Sequence, residues 1–193
     1  MMRVVVPVLV GIAAVTLSAS VALASETFWV TKLMVYCGKI SGSPMDTAQR
    51  FGARPGASDH YDAQFDAQKP PEPYQFKGQP PQCYVYLYWY RKEWGKSLVF
   101  TADYRSAIVA GQTKVWQDLR FKSTVNGTKV ISWALGANAA TVPPAGYTFT
   151  IYHEGTTPNP TGGTPVDMRT SGVLSFAYAA GQVHYWHVAV TAK

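Results

Sequence analysis

The chain has 193 residues, a formal charge of +6, and 47% apolar, 13% aromatic and 15% charged residues. That is one domain on size grounds, and long enough to bury a real core. The basic residues are scattered, with no run of four or more, which argues against a dedicated nucleic-acid surface.

Met1-Met2-Arg3 supplies one positive charge, Val4 to Ala24 carries none, and the stretch closes on Ala22-Leu23-Ala24. A short basic region, an apolar region and a small-x-small site read as a signal peptide over residues 1–24, cut after Ala24. The rival reading is an uncleaved membrane anchor. Pro7, Gly11, Thr16, Ser18 and Ser20 dilute that segment, and no basic cluster follows it. No Cys follows the cut, so a lipoprotein anchor is not expected. The expected location is secreted, periplasmic or cell-surface, with no stable membrane insertion after cleavage. The fold is then read from residues 25–193, whose formal charge is +5 once Arg3 is removed from the 17 basic and 11 acidic residues.

Helical periodicity is nearly absent from this region; the recurring spacing is two, the period of side chains on a strand. Eight strands are predicted: Thr27 to Tyr36, Cys83 to Tyr90, Leu98 to Tyr104, Thr113 to Lys122, Lys129 to Leu135, Tyr147 to His153, Val173 to Tyr178 and Val183 to Thr191. The alternation orients several of them. Ile131, Trp133 and Leu135 share an inward face, as do Tyr147, Phe149 and Ile151, and likewise Trp186, Val188 and Val190. Gly, Pro and Asn separate the strands, so the expected fold class is all-β, a sandwich or barrel. Asn126-Gly127 marks a tight hairpin between two strands, because both residues tolerate positive φ. The turn reading suffices there, although Asn126-Gly127-Thr128 is also a glycosylation sequon.

Two stretches read as irregular. Residues 38–82 form a long excursion with seven of the thirteen prolines, and Gly155 to Pro165 forms a Thr/Pro/Gly-rich loop. Cys37 and Cys83 flank the excursion. An even pair in an exported chain predicts one disulfide closing its base, against alternatives of two buried thiols or, less favoured, a metal site.

The most distinctive segment runs from Phe51 through Gly52, Pro55-Gly56-Ala57-Ser58-Asp59, Tyr61-Asp62 and Phe65-Asp66 to Pro70-Pro71. With Tyr104-Arg105 and Val166-Asp167-Met168-Arg169 further on, this FGxxPGASDxYDxxFDxxxPP pattern resembles modules of bacterial secreted and surface proteins. The resemblance runs from about Phe28 to the end, with His60 standing where the pattern has Gly. It implies an immunoglobulin-like antiparallel β-sandwich of about eight strands, and supports fold more than function.

Three chemistries are weighed. Asp59, Asp62 and Asp66 lie close together in a loop, and such oxygen ligands suit calcium, the one cofactor considered. The competing reading is that they cap turns by bonding nearby amides. Tyr84, Tyr86, Tyr88 and Tyr90 share one face of their strand, with Val85, Leu87 and Trp89 on the other; with Trp94 they form a candidate surface for carbohydrate or a surface protein. The competing reading is that the Pro-rich excursion covers them. Glu154 and Asp167 are a carboxylate pair that a glycan hydrolase would need close together. His184 and His187 fall on opposite strand faces and suggest no zinc site, and His60 and His153 have no ligand near them in sequence. No nucleophile elbow or metalloprotease motif is present. The expected function is a non-catalytic structural or binding module. The alternatives are a surface-filament subunit that self-associates by donating its N-terminal strand to a neighbour, and, less favoured, a glycan hydrolase.

Overall fold

The structure, a computed structural model, describes residues 28–38, 46–72, 83–95 and 98–193; the signal segment, Pro73 and Pro80-Pro81 fall outside them. Period-two patterning builds eleven strands: β1 (Trp29–Cys37), β2 (Asp46–Ala53), β3 (Val85–Tyr90), β4 (Val99–Phe100), β5 (Ala102–Arg105), β6 (Thr113–Ser123), β7 (Gly127–Leu135), β8 (Tyr147–Gly155), β9 (Thr164–Asp167), β10 (Val173–Tyr178) and β11 (His184–Ala192). They form two sheets, β10-β7-β1-β2-β5 and β4-β3-β6-β11-β8-β9, stacked as an all-β sandwich. Every ladder is antiparallel except β2 with β5, which is parallel.

The strand count exceeds the predicted eight for physical reasons. The sequence of β2, DTAQRFGA, has one large apolar residue, so alternation does not announce it. Pairing on both sides forms this strand instead, with β1 and with β5. It lies so close to β1 that a Cβ at Gly52 would sit 2.2 Å from the Trp29 carbonyl oxygen, leaving glycine as the residue that fits. Strand β9 is a short edge over the expected loop. The predicted strand Leu98 to Tyr104 breaks at Thr101, with β4 in one sheet and β5 in the other.

The Asn126-Gly127 turn is not a hairpin. Gly127 has the expected positive φ of 106°, but β6 and β7 belong to different sheets. The turn therefore carries the chain across the sandwich, and the Asn126 side chain accepts a hydrogen bond from the Ala180 amide at 2.7 Å. Asn-Gly licenses the reversal; the partners of each strand decide the sheet.

Inward faces fall where alternation puts them. Trp29, Trp89, Trp116 and Trp186 are fully buried, with Leu33, Leu87, Leu119, Phe149, Ile151, Val188 and Val190 in the same core. Trp29 is at its centre, edge-on to Phe149 at 5.0 Å, Trp116 at 5.7 Å and Phe51 at 5.9 Å between ring centroids, the geometry that aromatic quadrupoles favour.

Cys37 and Cys83 form the disulfide, joining the end of β1 to the start of β3 across 46 residues with Cα atoms 6.2 Å apart. A second tie is ionic. Asp103 on β5 is fully buried and takes Arg91, just past β3, through both guanidinium nitrogens facing it, and Arg105 at 3.2 Å. Each arginine also donates to a β6 carbonyl, Arg91 to Gln117 at 2.7 Å and Arg105 to Val115 at 2.9 Å. The triad thus fastens an edge of one sheet to the middle of the other.

Two predictions follow from these ties. Arg91→Met leaves the buried Asp103 carboxylate with Arg105 alone and should cost about 3–5 kcal/mol, the range for breaking a buried ion pair, read from the denaturant midpoint. The double variant Cys37→Ser/Cys83→Ser should lose about 4 kcal/mol in the loop-entropy treatment. An equilibrium denaturation curve shifted by under about 1 kcal/mol would mean that the pairings of β2 already pin the excursion without the bond.

Candidate functional site

The outer face of the six-stranded sheet gathers the candidate tyrosines. On β3, Val85, Leu87 and Trp89 point into the core and the tyrosines point away from it. Tyr84 stacks on Tyr86 at 6.2 Å, and Tyr86 meets Tyr88 at 5.1 Å between centroids. The row is not bare: Tyr86 and Tyr88 are buried, at 4% and 5% exposure, while Tyr84 and Tyr90 are half-buried.

Two things cover it. The Pro-rich excursion crosses the row, with the Tyr86 hydroxyl donating to the Pro70 carbonyl at 2.7 Å. Cations also sit over the rings: Lys69 is 4.6 Å from the Tyr86 centroid, Lys122 5.7 Å from Tyr88, and Arg120 3.6 Å from Tyr90 and 5.3 Å from Tyr185 on β11. Each cation has its own carboxylate: Lys69 with Asp46 at 2.7 Å, Lys122 with Glu72 at 2.9 Å, and Arg120 bidentate on Asp118 at 2.7 and 2.9 Å. Burial pushes the phenol of Tyr86 up to about 12, with Glu72, Tyr88 and Asp46 adding to it; Tyr84 and Tyr88 are also raised, burial again being the largest cause. The row is a neutral laminate of aromatic rings and paired charges.

A cleft of about 210 Å³ lies at the Tyr84 end of the row, and one of about 410 Å³ runs along Tyr86, Tyr88 and Tyr90 beside Pro71, Leu98, Arg120, Lys122 and Val183. Trp94 joins neither. Its indole packs against Phe100 at 4.7 Å and Tyr61 at 5.7 Å, beside the core.

The aspartates of the distinctive loop are engaged by the fold. Asp66 is buried and accepts the amides of Asp62 and Tyr104, each at 2.8 Å. Asp62 accepts the Ser58 amide at 2.6 Å. Asp59 accepts Lys114 at 2.6 Å and the Ser106 hydroxyl at 2.9 Å. In the same segment, the Arg54 guanidinium lies 5.0–5.3 Å from the rings of Phe28, Phe65 and Tyr104. This stretch is a satellite core strapped over the five-stranded sheet, with Val30, Ala57 and Ala102 beneath it. His60 needs no glycine-like backbone: among the described residues Asp118 alone is a non-glycine with positive φ.

Glu154 and Asp167 do not converge. Asp167 lies opposite Thr150 in the β8–β9 ladder, four residues along the strand from Glu154. At strand spacing that is about 13 Å, beyond the separations glycosidase carboxylates use. Glu154 instead holds His187 at 2.7 Å, with Tyr152 stacked on the imidazole at 4.4 Å.

Sequence spacing gave no hint of a histidine pair on the inner face. Strands β8 and β11 are neighbours, and their ladder brings His153 Nε2 to 2.9 Å from His184 Nδ1. His153 stacks on Trp186 at 3.9 Å, and Phe176 and Tyr178 lie over His184 at 5.2 Å each. Only a register connecting residues 31 apart would have revealed it.

No family model, characterised protein or solved structure matches this chain.

Burial, and then the neighbouring His184, lower the His153 imidazole to about 4; burial lowers His184 as well. The folded chain therefore resists a proton that an unfolded histidine takes near pH 6.5, so this pair withdraws stability as pH falls from about 6.5 toward 4. Asp66 acts in the opposite sense: burial raises its carboxyl to about 6, so its contribution is full below about 4 and is lost as pH rises through 6. A melting curve sums the two, whereas imidazole NMR separates them. His153 should titrate well below the ordinary imidazole value of about 6.5; a midpoint near 6.5 would mean that the pair is open to water.

Proposed function

We propose that the chain is a non-catalytic structural or binding module of the extracytoplasmic space that meets its partner at the Tyr90 end of the tyrosine row. The signal-like N-terminus and the Cys37–Cys83 disulfide support the compartment. The observation that carries the rest is the laminate. Lys69, Lys122 and Arg120 already occupy ring faces that a sugar would need for stacking, and the excursion seals Tyr86 and Tyr88. The strength of this face goes into the fold, and the larger opening left on it is the cleft that reaches Tyr90, Leu98, Arg120 and Val183. Its walls are mostly apolar and aromatic, and its two cations are each neutralised in place, Arg120 by Asp118 and Lys122 by Glu72. That suits a carbohydrate edge or an apolar protein side chain better than a free anion.

The filament alternative needs β1 to leave its own sheet. That strand is paired along its length with β2 on one side and β7 on the other, so donating it would break two ladders.

The purified protein should be tested for retention on insoluble polysaccharides, on a glycan array and on the surface-protein fraction of its producing cells. Tyr90→Ala should weaken the retained interaction roughly tenfold, the scale of one truncated aromatic anchor, while Tyr84→Ala changes it little. Equal losses in both variants would move the contact away from the cleft. Retention on none of the three supports would leave the purely structural role.

A further inference from the structure

Of the four strand edges in the sandwich, three are guarded. β4 is bridged by Gln68, and the segment at 67–69 bonds Val99 and Thr101. β9 carries Pro165 and Asp167. β5 has its outward amides taken by the excursion, Ala102 donating to the Ala67 carbonyl at 3.4 Å and Tyr104 to the Asp66 carboxylate at 2.8 Å. Charges, prolines and covering segments are the usual protections of exposed edges. β10 differs: from Thr170 to Val183 no residue is charged and none is proline, and among the described residues no segment bonds its outer edge.

The ladder parity shows which backbone groups this edge leaves over. Gly172 accepts from the Trp133 amide at 3.1 Å, so Gly172, Leu174, Phe176 and Tyr178 turn their polar groups toward β7. Val173, Ser175 and Ala177 turn theirs to the free side. The Ser171 hydroxyl serves Val173, donating to its carbonyl at 2.8 Å and accepting from its amide at 3.4 Å. Ser175 and Ala177 remain, both exposed and both small.

That remaining set is symmetric about Phe176. We propose that β10 is a self-association edge, and that its occupant is the β10 strand of a second copy, antiparallel, on a two-fold axis through Phe176. Ser175 of each copy then pairs with Ala177 of the other, and all four free groups on each strand are used, with none left over. No like charges meet, although the chain as a whole is basic. Leu174 and Tyr178 face each other across the seam, and the Phe176 rings adjoin. The row of aromatic residues lining the core thus runs on from one copy into the next. A two-fold contact of this kind closes at the dimer and does not propagate. It is independent of the cleft, which lies on the other sheet.

Sedimentation equilibrium of the purified protein from micromolar to near-millimolar concentration tests the proposal, and the expected species are monomer and dimer alone. Ser175→Pro removes an amide that the monomer does not use, and proline is tolerated on that side of an edge strand. In the dimer it deletes two of the four bonds, and dimerisation should weaken roughly 30-fold at about 1 kcal/mol per bond. Ala177→Lys installs the missing guard and should abolish the dimer, with circular dichroism and melting of the dilute protein unchanged. Should one variant fail to fold, the other still decides. A monomer at every concentration, a dimer that survives the folded variant, or an open-ended polymer would each overturn the proposal.

Discussion

The buried Arg91–Asp103–Arg105 triad organises more of this molecule than any apolar contact. Asp103 has no exposure to water, so it must be paired where it stands; Arg105 reaches it from two residues along β5 and Arg91 from just past β3. Arg91 has a second task, holding the Gln117 carbonyl. At that point the β6–β11 register slips, with Gln117 and Asp118 on one strand set against His187 on the other. Asp118 sits in this bulge with a φ of 58°, a left-handed conformation that some bulges use. Its carboxylate is thereby placed to clamp Arg120 from two residues away, and Arg120 then lies over Tyr90 and Tyr185. A buried carboxylate between the sheets thus fixes the pose of a guanidinium on the outer surface.

The long excursion makes sense in the same terms. A loop of that length ordinarily costs entropy to hold, and this one is secured repeatedly. The disulfide closes its base, β2 adds a strand to the sheet, and Asp46 accepts both Lys69 and the Leu87 amide. The distinctive loop in its middle bonds its aspartates to backbone amides and to Lys114, and wraps Arg54 in three rings. Its polar residues therefore contribute to the packing of a second, smaller core. At Pro70 and Pro71 the excursion lies on the tyrosine row, so these prolines and the tyrosines, which stand apart in sequence, belong to one layer.

The inward faces were legible in the sequence because they depend on a two-residue period. Ile131, Trp133, Phe149, Ile151, Trp186, Val188 and Val190 lie in the core for that reason. The cysteine pair was legible from compartment and parity. What depends on partners was not. β2 exists because β1 and β5 flank it, and the Asn126-Gly127 turn crosses between sheets because β6 and β7 find different neighbours. His153 meets His184 through a register that no local pattern encodes. The tyrosine row was correctly placed on one face, but whether it lay open turned on Pro70, Lys69, Lys122 and Arg120. All four are distant in sequence or ambiguous as surface cations.

The two sheets thus differ in how they finish their outer boundaries. The six-stranded sheet closes its aromatic face with cations that bring their own counter-charges, so the layer is electrically quiet between the clefts it leaves. The five-stranded sheet is strapped by the Arg54 segment near β5 and stops at β10 with small uncharged residues. A module that meets a partner needs one surface that does not bind indiscriminately and one place that does. Pairing every cation in the laminate supplies the first, because an unpaired Lys or Arg over a tyrosine would attract any polyanion. Under the proposed reading the second lies at the cleft beside Tyr90 on one sheet and at Ser175 and Ala177 on the other.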